Sequence, residues 1–149
     1  MSNSGQVSGH HIVVGLDGSE SSMEALDWAL RQAQLTDASV LVVVAWHIPT
    51  SWGWGMAIAP ATLPQQDAEK MLEDVLEPVR QKHPGVAIES QVVEGHPAAV
   101  LVDASRGADL VVVGSRGHGE FAGMLLGSVS EHCVSNAHCP VLVLRGNGS

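Results

Sequence analysis

Hydrophobic positions along this chain follow two alternating rhythms. Short, continuous apolar runs rich in β-branched residues are separated by stretches in which apolar residues return every three or four positions. The first pattern predicts strands covered on both faces, the second amphipathic helices. The run IVVGLD after His11 is the first strand, stopped at Asp17-Gly18-Ser19. Ser21 and Glu24 then have capping-box spacing, and Met23, Leu26, Leu30 and Ala33 recur as one helix face that fades near Gln34. Ser39 to His47 is a second strand. Ile48 to Pro64 breaks the rhythm with Pro49, Gly53, Gly55, Pro60 and Pro64 around Trp52 and Trp54, which predicts a long loop. Ala68, Met71, Leu72, Val75, Leu76 and Val79 mark a second helix, with Pro78 expected to disturb its last turn. Val86 to Val93 alternates in part, as a strand near a sheet edge does. Gly95-His96-Pro97 opens a third helix with Val100, Leu101 and Ala104 inward, ended by Arg106-Gly107. A fourth strand, ADLVVVG, leads into a Gly-rich loop from Ser115 to Leu126. Ser128 to Asn136 is a short helix with Val129 and Cys133 on one side, and Val141 to Leu144 after Pro140 is a fifth strand.

Five alternations of strand and helix predict an α/β fold, an open parallel sheet with helices on both faces and right-handed crossovers. The 149 residues suit one domain, placed at 11–145 between tails at 1–10 and 146–149. Hydrophobic residues at 45% and charged ones at 15% exclude a disordered chain. Seven Lys and Arg stand against 16 Asp and Glu, a net charge of −9. That charge disfavours nucleic acid and anionic membranes as partners. No apolar run is long enough to span a bilayer, and the first residues lack the basic and apolar regions of a secretory signal. With two cysteines and no disulfide framework, the expected compartment is the reducing cytoplasm.

In an open α/β sheet a ligand sits beyond the carboxyl ends of the strands, where the strand order reverses. Two strand ends carry the residues for this: Gly15-Leu16-Asp17-Gly18-Ser19, and Gly114-Ser115-Arg116-Gly117-His118-Gly119. The second loop returns through Gly127-Ser128 to a helix N-terminus. Glycines there let amides approach an anion, the helix dipole favours negative charge, and Ser128 and Ser130 add hydroxyls. The pattern is a phosphate cradle in two pieces, unless the glycines merely build a tight loop and a helix cap. It is not a P-loop, because no Gly-Lys-Ser/Thr follows, and the first strand carries no GxGxxG. Arg116 is the only fixed positive charge in the loop.

The spacing Gly114-x2-Gly117-x9-Gly127-Ser128 resembles the nucleotide-binding signature of the universal stress protein family. The opening IVVGLDGSESSMEALDWAL and the closing HCPVLVLR are similar to that family too, so the resemblance runs from His11 to Arg145. It implies an adenine-nucleotide-hydrolase-like fold with strand order 3-2-1-4-5, and membership of the ATP-binding branch. By the same resemblance, Gly15, Leu16 and Asp17 lie beside adenine and ribose, and the Ala45 backbone meets adenine. Gly114 and Arg116 flank the ribose and the first phosphate, while Gly117, Gly127, Ser128, Val129 and Ser130 hold the phosphate chain. His118 and Gly119 belong to the same loop. Mg2+ or Mn2+ would be held through phosphate oxygens and water. The resemblance also implies a homodimer through Val141, Leu142, Val143 and Leu144, an apolar strand at the sheet edge.

The expected role is that of an ATP-binding, nucleotide-dependent stress sensor or regulator with slow or no hydrolysis. The alternatives are an interaction scaffold with a vestigial site and a true adenine-nucleotide hydrolase. Hydrolysis needs a positioned base, a transition-state cation and an aligned metal, and Asp17 is the only carboxylate at the crevice. The pairs His132-Cys133 and His138-Cys139 do not have the spacing of a zinc site. His10, His11, His47, His83 and His96 fall at element ends and receive no role. Trp28 and Trp46 are expected in the core, Trp52 and Trp54 on the long loop.

Overall fold

Residues 10–47, 64–115 and 127–145 are described by the structure, a computed structural model. β1 (His11–Gly15), β2 (Ser39–Trp46), β3 (Ile88–Glu94), β4 (Leu110–Gly114) and β5 (Val141–Leu144) form one sheet in the order β3-β2-β1-β4-β5. Every pairing is parallel. The helices are α1 (Glu20–Thr36), α2 (Pro64–Lys82), α3 (Pro97–Ala104) and α4 (Ser128–Asn136). Both the α/β class and the 3-2-1-4-5 order expected from the sequence are present. The long loop around Trp52 and Trp54 lies outside the described residues.

Local chemistry moves some boundaries. The cap of α1 is Ser19 rather than Ser21: its backbone is extended and its side chain accepts from the Ser22 amide. Ser21 is inside the first turn and buried, so the Ser21–Glu24 spacing is not a capping box here. α1 also runs to Thr36, two residues past Gln34, because Asp37 stops it in a left-handed conformation (φ 62°) that a short polar side chain tolerates. Pro78 does not end α2, which continues to Lys82. Its ring is exposed, where losing one N–H bond costs least. β3 begins at Ile88, two residues after Val86, which is buried ahead of the strand.

The sheet separates two apolar layers. On one face Ile12, Val14, Val40, Val42, Val44 and Val112 pack with Leu26, Leu30, Leu72 and Leu76 of α1 and α2. Trp28 and Trp46 pack partly buried against this layer. On the other face Val13, Val43, Val111 and Val113 meet Val100, Leu101 and Cys133 of α3 and α4. The alternation of Val13 with Val14, and of Val111 with Val112, divides each central strand between the two layers, as the two-residue period requires.

β1 and β4 are adjacent, with Val13 opposite Val111. Reciprocal bonds close the N-terminal end of this pair: the His11 amide donates to Asp109 Oδ2 (2.7 Å), and the Asp109 amide to the His11 carbonyl (2.8 Å). At the other end β4 finishes in Gly114 under the first turn of α1. A Cβ there would stand 2.7 Å from the Ser21 carbonyl carbon and 2.8 Å from its Cβ. Backbone cannot swing aside as a side-chain tip can. Gly114→Ala is therefore expected to cost about 1–3 kcal/mol through overpacking. Urea unfolding should show a lower midpoint at an unchanged slope.

Candidate functional site

Strand order reverses between β1 and β4, since β1 connects outward to β2 while β4 leads to β5 on the opposite side. A cavity of about 330 Å³ opens beyond their carboxyl ends, within the size range of small-molecule sites. Nine residues singled out in the sequence line it: Gly15, Leu16, Asp17, Ala45, Gly114, Gly127, Ser128, Val129 and Ser130. Arg116, Gly117, His118 and Gly119 lie outside the described residues.

The walls are built by short-range contacts. Leu16 continues β1 by donating its amide to the Val43 carbonyl (2.9 Å). Asp17 then turns outward, and its Oδ1 accepts from the Ser19 amide (2.9 Å), which fixes the carboxylate at the entrance to α1. On the β4 side, the Ser115 carbonyl is the junction. It accepts the Gly127 amide at 2.6 Å and the Ser130 hydroxyl at 3.2 Å. The Ser130 hydroxyl also lies 3.1 Å from the Gly127 carbonyl, and the residue is buried. Its single proton is thus committed to protein carbonyls, and Ser130 holds the start of α4 against the end of β4. Gly127 caps α4 without any side chain to bond the first turn, in contrast to Ser19 at α1. The positive end of α4 therefore faces the cavity without a side-chain cap.

Sequence reasoning missed Ser22, Val43, His47, His96, Pro97, Leu101 and Val113, which also line the cavity. Val43 and His47 stand two positions either side of Ala45, so strand periodicity was the available signal. Leu101 closes in because Gly15 lacks a Cβ, which would otherwise come within 2.7 Å of Leu101 Cδ1. Among the described lining residues the ionisable side chains are Asp17, His47 and His96. No group of three or more His, Cys, Asp or Glu converges as a metal site among the described residues. Nor is any helix among them long and apolar enough to cross a membrane.

The parallel sheet and the crevice at its switch point define an α/β protein of the open, doubly wound kind. The universal stress protein family model matches residues 9–145, and the chain belongs to that family. The chain is 40% identical over 134 residues to universal stress protein Rv2623 of Mycobacterium tuberculosis. That match takes in 90% of this chain and 44% of the relative, so the chain spans less than half of that protein's length. Among solved structures it is similar to a universal stress protein in complex with cAMP, at 28% identity and a TM-score of 0.68. That likeness covers 93% of this chain and 98% of the other. UspA from Lactobacillus plantarum shares the fold at a TM-score of 0.73 and 20% identity, covering 91% of this chain and 97% of its own.

Both cysteines are free and stand apart from the cavity lining. Burial pushes the Cys133 thiol up to about 11. Cys139 is also raised, first by burial and then by the negative charge of Asp109. Thiolate is the reactive form, so both should be inert near neutrality. A folded-state value above the unfolded one means the native state holds its proton longer. Stability is therefore complete below the unfolded value and falls as pH rises towards about 11 for Cys133. An aromatic disulfide reagent at pH 8 should react slowly with native protein and rapidly with both thiols once urea unfolds it.

Proposed function

We propose that this chain binds an adenine nucleotide, ATP foremost, in the crevice at the β1–β4 switch point. It then acts as a nucleotide-dependent regulator of the stress response rather than as an efficient hydrolase. The observation that carries this reading is the convergence of Gly15, Leu16 and Asp17, the end of β2 at Ala45, and the start of α4 on one cavity. The lining has the two characters a nucleotide needs. Val43, Ala45, Leu101 and Val113 supply apolar wall for a base, while Ser128 and the α4 terminus supply donors for phosphate. The related solved protein in complex with cAMP supports the same ligand class.

In this reading Ala45 borders the base, Asp17 with Gly15 and Gly114 borders the ribose, and Gly127 to Ser130 receives the phosphates. Gly117, with Arg116, His118 and Gly119, completes the cradle. Asp17 is the only carboxylate among the described lining residues. Mg2+ or Mn2+ would accordingly be carried by phosphate oxygens and water. The same scarcity argues against rapid hydrolysis, which needs a positioned base, a transition-state cation and an aligned metal together. Two free cysteines suit a reducing cytoplasm.

β5 supports a homodimer. It is the last strand of the sheet order, and Val141, Leu142, Val143 and Leu144 are each only partly covered. An apolar edge of this kind is satisfied by pairing with a second copy. Light scattering should then report about twice the chain mass of 15.6 kDa. A single-chain mass at high concentration would refute the dimer.

Calorimetric titration of nucleotide-stripped protein with ATP and Mg2+, followed by an assay for released ADP, tests the main reading. Saturable binding is expected, with ADP release far below the rate of about one per second at the low end of ordinary enzymes. Rapid turnover would establish a hydrolase, with Asp17 the first residue to replace. Absence of binding would overturn the nucleotide reading and favour a scaffold.

A further inference from the structure

The cavity has a wall that the glycine signature does not account for. His47 and His96 both line it, and their rings are stacked with centroids 5.5 Å apart and planes 15° from parallel. The backbone arranges this contact. β2 and β3 are paired through Trp46 and Glu94, so the two chains leave the sheet side by side. The Gly95 amide then donates to the Trp46 carbonyl (2.8 Å) and extends the pairing by one step. Gly95 has φ +148°, and a Cβ there would come within 3.0 Å of Val100 Cγ2. That conformation turns the chain sharply into α3 and presents His96 opposite His47. His96 makes no side-chain cap bond to α3, so capping does not explain its placement.

We infer that the stacked His47–His96 pair is the base-selecting wall of the crevice, a flat π-surface that favours purine over pyrimidine nucleotides. The inference rests on the nucleotide reading above and deepens it by naming the residues that choose the base. Val43 and Ala45 share one face of β2, and His47, one residue past its end, also lines the cavity. The imidazole pair therefore stands at the same end of the cavity as Ala45, across β1 and β4 from the start of α4. A base lying along β2 meets apolar side chains first and the imidazole stack next. Their near-parallel arrangement at 5.5 Å sets the two rings beside one another before a ligand arrives, which lowers the ordering cost of binding. A purine brings two fused rings to such a surface and a pyrimidine one, so the purine gains the larger contact. A metal site is a poorer account, since lone pairs in two near-parallel planes do not converge on one point, and no third ligand joins them among the described residues.

The test compares ATP and CTP binding to the full chain, the double variant His47→Ala/His96→Ala, and the double variant His47→Phe/His96→Phe. Both histidines are exposed, so the variants are expected to fold, and circular dichroism checks this. The wild type should prefer ATP. The alanine variant should bind ATP about tenfold more weakly and lose most of its preference over CTP. The phenylalanine variant should recover ATP affinity to within about threefold. Unchanged ATP affinity in the alanine variant would overturn the wall while leaving the nucleotide reading intact. Equal loss for both nucleotides would overturn base selection, and failure of phenylalanine to restore binding would overturn stacking as its basis. A wild-type chain that binds neither nucleotide overturns the nucleotide reading itself, and this inference with it.

Discussion

The parallel pairing of β1 with β4 is the constraint on which the rest of the molecule depends. It joins two strands far apart in sequence, closed at one end by the reciprocal His11–Asp109 bonds. Its side chains are almost wholly buried, with Val14, Val111 and Val112 at 0% exposure. Bonding between β1 and β4 leaves β2 and β3 on one side and β5 on the other. The connections must then lead away in opposite directions, so the chain opens a gap above the pair. The crevice is a consequence of topology before any particular side chain enters it.

What the gap can hold is set by how its rims are closed. The Ser115 carbonyl collects the Gly127 amide and the Ser130 hydroxyl, bringing residues twelve or more positions apart to one point. The start of α4 is thus fixed at the end of β4 by hydrogen bonds of its own. α1 uses the opposite strategy, since Ser19 caps its first turn and Asp17 bonds back to Ser19. One helix entrance is sealed by its own side chains. The other is capped by glycine, and this asymmetry gives the cavity a polar side at α4 and an apolar one at Val43 and Leu101.

Much of the fold was legible because the central strands obey strong rules. Continuous Val runs at β1, β2 and β4 could only be strands covered on both faces, and each lies within a residue or two of its expected bounds. Errors arose where a local interaction competes with a pattern. Ser19 displaced the Ser21–Glu24 capping box because its side chain reaches the Ser22 amide, and Asp37 carried α1 past Gln34 by accepting a left-handed turn. For the site, glycine and serine spacing marked the β1, β4 and α4 contributions, because the backbone itself forms those walls. His47 and His96 went unassigned for a different reason. Their proximity depends on the β2–β3 register and on one glycine turn, neither of which one-dimensional spacing records.

The charge balance explains why the walls take this form. A chain of net charge −9 repels a nucleotide at long range. Among the described lining residues no Lys or Arg offsets that repulsion. In the proposed binding mode attraction would arise at close quarters, from amides at the start of α4 and from contact with the base. Dipoles act over about one helical turn and so reward only a phosphate already in position. Something else has to place it there. In the proposed binding mode the His47–His96 surface would do this without adding charge, and the length of the ligand would carry the phosphates towards the glycine-capped helix.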